Sequence, residues 1–118
     1  MKSAISFADF YSDLRIPVIV APMFLISGPD LVISAAKSGI LAAIPAPNAR
    51  TIDSLETWLA RIATELDQAG KAGQWAMNMI VHSSYERFDA ELDLICHYQP
   101  RIVITALGNP SRPLDRIH

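Results

Sequence analysis

Few side chains in this 118-residue chain have the type and spacing to do chemistry, and they gather in four short stretches. The first is PVIVAPMFLISGPD, where the apolar run Pro17–Ala21 passes through Pro22 and continues across Met23, Phe24, Leu25 and Ile26. Only then does it reach Ser27-Gly28-Pro29-Asp30. A loop built from Met, Phe, Leu and Ile either plugs the end of a fold or walls an apolar ligand. The second is PAPNART, with Asn48 and Arg50; Arg50 is an ordinary surface residue or a partner for an anionic substrate. The third is MNMIVHSS, where Asn78 sits among Met77, Met79 and Ile80 and His82 follows the apolar run. An amide inside an apolar strand must find hydrogen-bond partners, from a neighbouring backbone or from a polar ligand. The fourth is Gly108–Arg112, GNPSR.

The elements that must position these stretches follow from periodicity and punctuation. Val18–Ala21 is a continuously apolar run that suits a strand buried on both faces. Pro29 near a first helical position, Asp30 in the first turn and Gly39 just past the end delimit a helix. Ile40–Ile44 is a second short strand. Asp53 with Glu56 forms a capping-box pattern, and Leu55, Trp58, Leu59, Ile62, Ala63 and Leu66 form one apolar stripe that ends by Gly70. Trp75–Val81 is the third strand, Ser83 with Glu86 a second capping pattern, and Phe88, Leu92, Ile95 and Cys96 a third helical stripe. Arg101–Leu107 is the fourth strand, with a further helix starting at Pro113–His118.

Strand–helix alternation at this spacing predicts βαβ units and a parallel sheet. A nucleotide-binding doubly wound sheet carries a glycine-rich loop after its first strand. Here that position holds APMFLISGPD, which disfavours it. The expected architecture is therefore α/β: about the first half of a (β/α)8 barrel, with four strands and three complete helices. Residues 1–118 would form the N-terminal part of one barrel domain, since a whole barrel needs about 250 residues. In parallel folds ligands sit at the carboxyl ends of the strands. The loops there carry Met23–Ser27, Ala46–Arg50, His82–Ser83 and Gly108–Arg112, all on one rim.

Composition narrows the class of partner. About half of the residues are hydrophobic, with 10 Lys and Arg against 12 Asp and Glu and no basic block. That argues against nucleic acid or an acidic membrane surface. No apolar stretch approaches the roughly 20 residues of a membrane span, and the start MKSAISFADFYSDL lacks the apolar core of a signal peptide. A single cysteine, Cys96, suits a reducing compartment and a small core position. A cytoplasmic protein is expected. His97 and His118 read as solvent-facing, and no pattern suggests a metal site.

APMFLISGPDLVISAAKSG, IPAPNARTIDSLETWLARI, MNMIVH and IVITALGNP, in this order and spacing, resemble the nitronate monooxygenase (2-nitropropane dioxygenase-like) family. The likeness covers nearly the whole chain after the first fifteen residues. It implies an FMN-dependent barrel that oxidises alkyl nitronates to a carbonyl compound and nitrite with O2, without a nicotinamide. It further implies that Ala21, Pro22 and Met23 lie against the flavin and that Asn78 hydrogen-bonds it. Gly108 would let the fourth strand's end approach the cofactor, with Phe24 and His82 on the substrate side. A flavin ring is a flat apolar slab with a polar edge, so an apolar wall with a few fixed polar groups suits it. The family's catalytic base is a histidine in a Gly-Gly-His stretch after a later strand. No Gly-Gly dipeptide occurs in this chain, so that base is expected beyond His118, as are the phosphate loops. The chain also departs from the family's GGLG-like run, with Gly39-Ile40-Leu41-Ala42-Ala43 in its place. Two other functions fit the same residues: an FMN-dependent enoyl-thioester reductase, which shares the GNP stretch, and a non-catalytic half-barrel that assembles with itself. Four strands alone would leave strands one and four unpaired and the inner sheet face uncovered, which predicts self-association.

Overall fold

The computed structural model describes residues 6–117. Its elements alternate as the hydrophobic pattern demands: α1 (Phe7–Ser12), β1 (Ile19–Val20), α2 (Pro29–Lys37), β2 (Leu41–Pro45), a 3-10 turn (Ala46–Asn48), α3 (Ile52–Gln68), β3 (Ala76–Ile80), α4 (Phe88–Tyr98), β4 (Ile102–Ala106) and α5 (Ser111–Ile117). The strands form one parallel sheet in the order β1-β2-β3-β4. Each new strand is laid beside its predecessor, so the order never reverses as it does in a doubly wound sheet. Among the described residues, β1 and β4 each pair on one side only.

Period-two alternation sorts the strand residues between two faces. Ala42, Ile44, Met77 and Met79 point to the helices and join Val32, Ala36, Leu55, Leu59, Ile62, Leu66, Phe88, Leu92 and Ile95 in one core. The stripe on α3 is buried at Leu55, Leu59, Ile62 and Leu66, while Trp58 lies at its half-buried margin. All the helices that feed this core lie on that one side of the sheet. The opposite face carries Leu41, Ala43, Ala76, Ile102 and Ile104, packed with Leu14.

That second face is not uncovered along its whole length, contrary to the expectation from four strands alone. The N-terminal segment closes its amino end: the Arg15 backbone N–H donates to Gly39 O at 2.6 Å, and Arg101 Nη1 pairs with Asp13 Oδ2 at 2.9 Å. Leu41, Ala43 and Ala76 are thereby fully buried. Gly39 is required here, because at φ 87° a Cβ would lie 2.7 Å from Arg15 Cβ. Toward the carboxyl end the face opens, and β4 is only half-buried throughout.

Several local expectations shift. Helix α1 adds to those anticipated, and the further helix expected from Pro113 is α5, which begins two residues earlier, at Ser111. The cap of α3 is Thr51, whose hydroxyl accepts from the Ser54 N–H, rather than Asp53. The chain leaves its 3-10 turn in extended conformation at Ala49 and Thr51, so the first free N–H groups meet the threonine. Ser83 does not cap α4, which starts at Phe88 after Arg87 with no side-chain cap. His118 lies outside the described residues. Among the described residues, no helix is long and apolar enough to cross a membrane.

Candidate functional site

The carboxyl ends of the strands carry the loops whose residues the sequence singled out, and the structure laces those loops together. After β1 the chain makes a tight turn in which Met23 O accepts from the N–H groups of Ile26 (3.2 Å) and Ser27 (2.9 Å). The buried Ser27 returns the contact, its Oγ accepting from the Met23 N–H at 2.9 Å. Asn48, from the 3-10 turn after β2, completes the knot: Nδ2 donates to Met23 O at 3.0 Å and Ser27 O at 2.8 Å, and Oδ1 accepts from the Leu25 N–H at 3.0 Å.

This knot turns three apolar side chains outward: Phe24, Leu25 and Ile26 are 69, 74 and 70 % exposed. Leu25 is held at φ 64°, a left-handed conformation that is uncommon for a bulky residue. Across the rim, Leu107 repeats the combination, at φ 60° and largely exposed. The apolar loop of the sequence is therefore a fixed hydrophobic prong. Pro22 and Met23 are half-buried at its base, and Ala21 is exposed.

Asn78 lies on the open face, in register with Pro45 and Ile104. Its Nδ2 donates to Ile104 O at 3.0 Å, so the amide spends its donor on the neighbouring strand. Oδ1 accepts no hydrogen bond among the described residues, and the residue is half-buried. His82 is exposed and folds onto its own loop, where Nδ1 accepts from the Ser84 N–H at 3.1 Å and lies 2.7 Å from Ser84 Oγ. Gly108 takes φ 154°, and a Cβ there would meet Val81 Cγ2 at 3.2 Å and the Val81 backbone at 3.4 Å. Its missing side chain thus accommodates the end of β3, which accounts for the glycine from within the chain. Arg112, at the start of α5, closes this side of the rim. Its guanidinium stands 3.8 Å over the Phe88 ring, and Nη1 donates to Val81 O and His82 O at 3.3 and 3.2 Å.

Beneath the rim is a buried polar cluster. Glu91 is fully buried in the first turn of α4; its Oε2 lies 2.9 Å from Arg87 Nε and accepts from the Tyr85 hydroxyl at 2.6 Å. Arg87 also reaches the loop after β2, donating to Ala49 O at 2.8 Å and Ala46 O at 3.4 Å. The Arg87 Nε–Glu91 contact is an ion pair by distance but poorly aligned as a hydrogen bond, and Glu91 Oε1 has no partner. Burial pushes the Glu91 carboxyl above its ordinary range, against the opposing pull of Tyr85 and Arg87. Burial, reinforced by the Glu91 hydrogen bond, raises the Tyr85 phenol as well.

No protein-family model, curated protein or solved structure matches this chain. The site must be judged on its own groups. It offers an apolar prong, an amide oxygen on an open sheet face and an exposed histidine whose Nδ1 lies 2.7 Å from the exposed Ser84 Oγ. Among the described residues, no three His, Cys, Asp or Glu side chains cluster to hold a metal. A shallow concavity lined by Ala63, Asp67, Gly73, Trp75 and Tyr98 lies near the amino end of β3, away from this rim. The sequence marks Asn48 only as a turn residue of PAPNART, and the Arg87–Glu91 pair was passed over. Arg87 and Glu91 stand four apart on one helix face and are legible as a pair, though not as a buried one.

Proposed function

We propose that this chain supplies the first four βα units of an FMN-dependent (β/α)8 barrel that oxidises alkyl nitronates with O2 to a carbonyl compound and nitrite. The observation that supports this most is the sheet. Four parallel strands in sequential order with helices on one face are what a barrel accumulates as it closes, and its ligand rim is where the apolar prong stands. Closure needs four further strands.

Two features support FMN at this rim. Pro22, Met23 and the prong offer the apolar wall, with Ala21 at the end of β1 beside it. The Oδ1 of Asn78 is a fixed acceptor for a donor on the ring's polar edge. Gly108, packed on Val81, would let the end of β4 approach the cofactor closely. Bound there, FMN would supply the redox chemistry, taking electrons from the nitronate and yielding them to O2. The chain's own residues orient and desolvate: Phe24 covers the substrate side and His82 borders it, while the catalytic base is assigned to the part of the barrel beyond this chain.

The test is turnover by the FMN-loaded protein carrying the remaining βα units. Nitrite release from propionate 3-nitronate without a nicotinamide is the expected result. An absolute requirement for NADH or NADPH would transfer the assignment to an enoyl-thioester reductase.

A further inference from the structure

We infer that Asn48 is the positioning residue of the rim, and that the buried Arg87–Glu91 pair holds Asn48 in place, so that three successive βα loops move as one body. The identity of the ligand they serve rests on the proposed function; the coupling does not.

A chain of contacts carries the coupling. The loop after β1 has no covalent reason to keep Leu25 in a left-handed conformation, which a leucine avoids. Beside the turn's own bonds at Met23 and Ser27, one side chain 23 residues away accepts from the Leu25 N–H and donates to the Met23 and Ser27 carbonyls. Asn suits this task because a single planar amide carries both an acceptor and two donors. Aspartate would set an oxygen against two carbonyl oxygens, and serine is too short to span the loop.

Asn48 is placed in turn by the backbone on both sides of it. Ala46 O and Ala49 O, which bracket Asn48, both receive Arg87, so the guanidinium grips the 3-10 turn from below. Glu91, fully buried, fixes the guanidinium, and Tyr85 fixes Glu91. The relay therefore runs from α4, through the loop after β2, to the prong after β1. A buried charge pair is a costly way to build a helix start if stability alone were at stake. Here it sets the position of a loop two units away.

The experiment is amide exchange resolved to single residues in this chain, for the wild type, Asn48→Ala, Asn48→Asp, Thr51→Ala and the double variant Arg87→Met/Glu91→Leu. Thr51→Ala is the control, since it removes the α3 cap three residues from Asn48 without touching the prong. Asn48→Ala should speed exchange of the Leu25 and Ser27 amides on the order of tenfold or more, while β2 and β3 amides stay near their wild-type rates relative to global stability. Asn48→Asp should do the same, because both donors are lost. The double variant replaces the pair with apolar side chains and so avoids a stranded charge. It should deprotect the 46–49 turn, read at the Ala49 amide, and with it Leu25. Thr51→Ala should leave Leu25 protected. The proposal is overturned if Asn48→Ala leaves the Leu25 amide at its wild-type rate, or if the double variant frees the Ala49 amide while Leu25 stays protected.

Discussion

Replacing Arg87 with methionine should destabilise the protein by an amount that grows with pH. The substitution keeps much of the side-chain volume but removes the counter-ion 2.9 Å from a fully buried carboxylate and the donors to Ala49 O and Ala46 O. Breaking a buried pair from one side costs about 3–5 kcal/mol, because a charge is left uncompensated. The pH dependence follows from Glu91, whose carboxyl burial already raises above its ordinary value of 4.5. A raised carboxyl means that the folded state binds more protons than the unfolded one. Stability from this group is fully present below the unfolded pKa and is lost as pH rises through the folded one. Arg87 is one of the influences holding the carboxyl down, so its removal lifts the folded pKa further and steepens that loss. At pH 4, with Glu91 neutral, only the lost donors to the two carbonyls remain, worth about 1–2 kcal/mol. At pH 8 the full penalty of about 3–5 kcal/mol applies. Urea unfolding from pH 4 to 8 reads this as a gap in midpoint that widens by roughly 1–2 M, given a slope of about 1.5 kcal/mol/M. A cost that is independent of pH, or below about 1 kcal/mol at pH 8, would refute the reasoning, since the carboxylate would then be solvated or already neutral.

Further substitutions probe the rim and the frame. Thr51→Ala should cost about 1 kcal/mol through loss of the α3 cap, measured by urea unfolding, whereas Asp53→Ala should cost less. Leu25→Asn should stabilise by about 0.5–1 kcal/mol, because asparagine tolerates the left-handed conformation that leucine is forced into. Gly108→Ala should destabilise by about 1–3 kcal/mol through both its φ and the clash with Val81, and Val81→Ala on that background should recover part of the loss. With β1 and β4 open at their outer edges and the prong exposed, the chain should self-associate in sedimentation velocity, and Phe24→Lys/Ile26→Lys should shift it toward monomer.

Local sequence carried most of the frame. Pro29 starts α2 and the Leu55–Leu66 stripe is the buried face of α3, since a spacing of three and four residues leaves one solution for an amphipathic helix. Alternation along MNMI put Asn78 on the face away from Met77 and Met79, because a strand reverses its side chains at every residue. What stayed hidden depended on long-range partners. Asn48 reads as a turn residue in PAPNART; its three partners lie 21 to 25 positions away and become visible only once β1 and β2 are side by side. Glu91 looks like a solvated helix acid, and nothing local says that Tyr85 and Arg87 close over it. The cap of α3 was misplaced by two residues because Thr51 and Asp53 are both good cap residues and only Asp53 has a glutamate three positions on, whereas the geometry of the preceding 3-10 turn selects Thr51. The covering of the inner face by Leu14 was equally invisible, since it depends on Arg15 meeting Gly39.

On the proposed function, this rim is one wall of a flavin site that oxidises nitronates. The direct measurement is anaerobic mixing of the FMN-loaded protein, with the remaining βα units present, against propionate 3-nitronate while following the absorbance of oxidised flavin. The account predicts that the flavin is reduced by the nitronate alone, in a single turnover, and that Asn78→Leu slows or abolishes this by weakening FMN binding. A flavin that stays fully oxidised under a saturating nitronate, and is reduced only when NADH or NADPH is added, would contradict it.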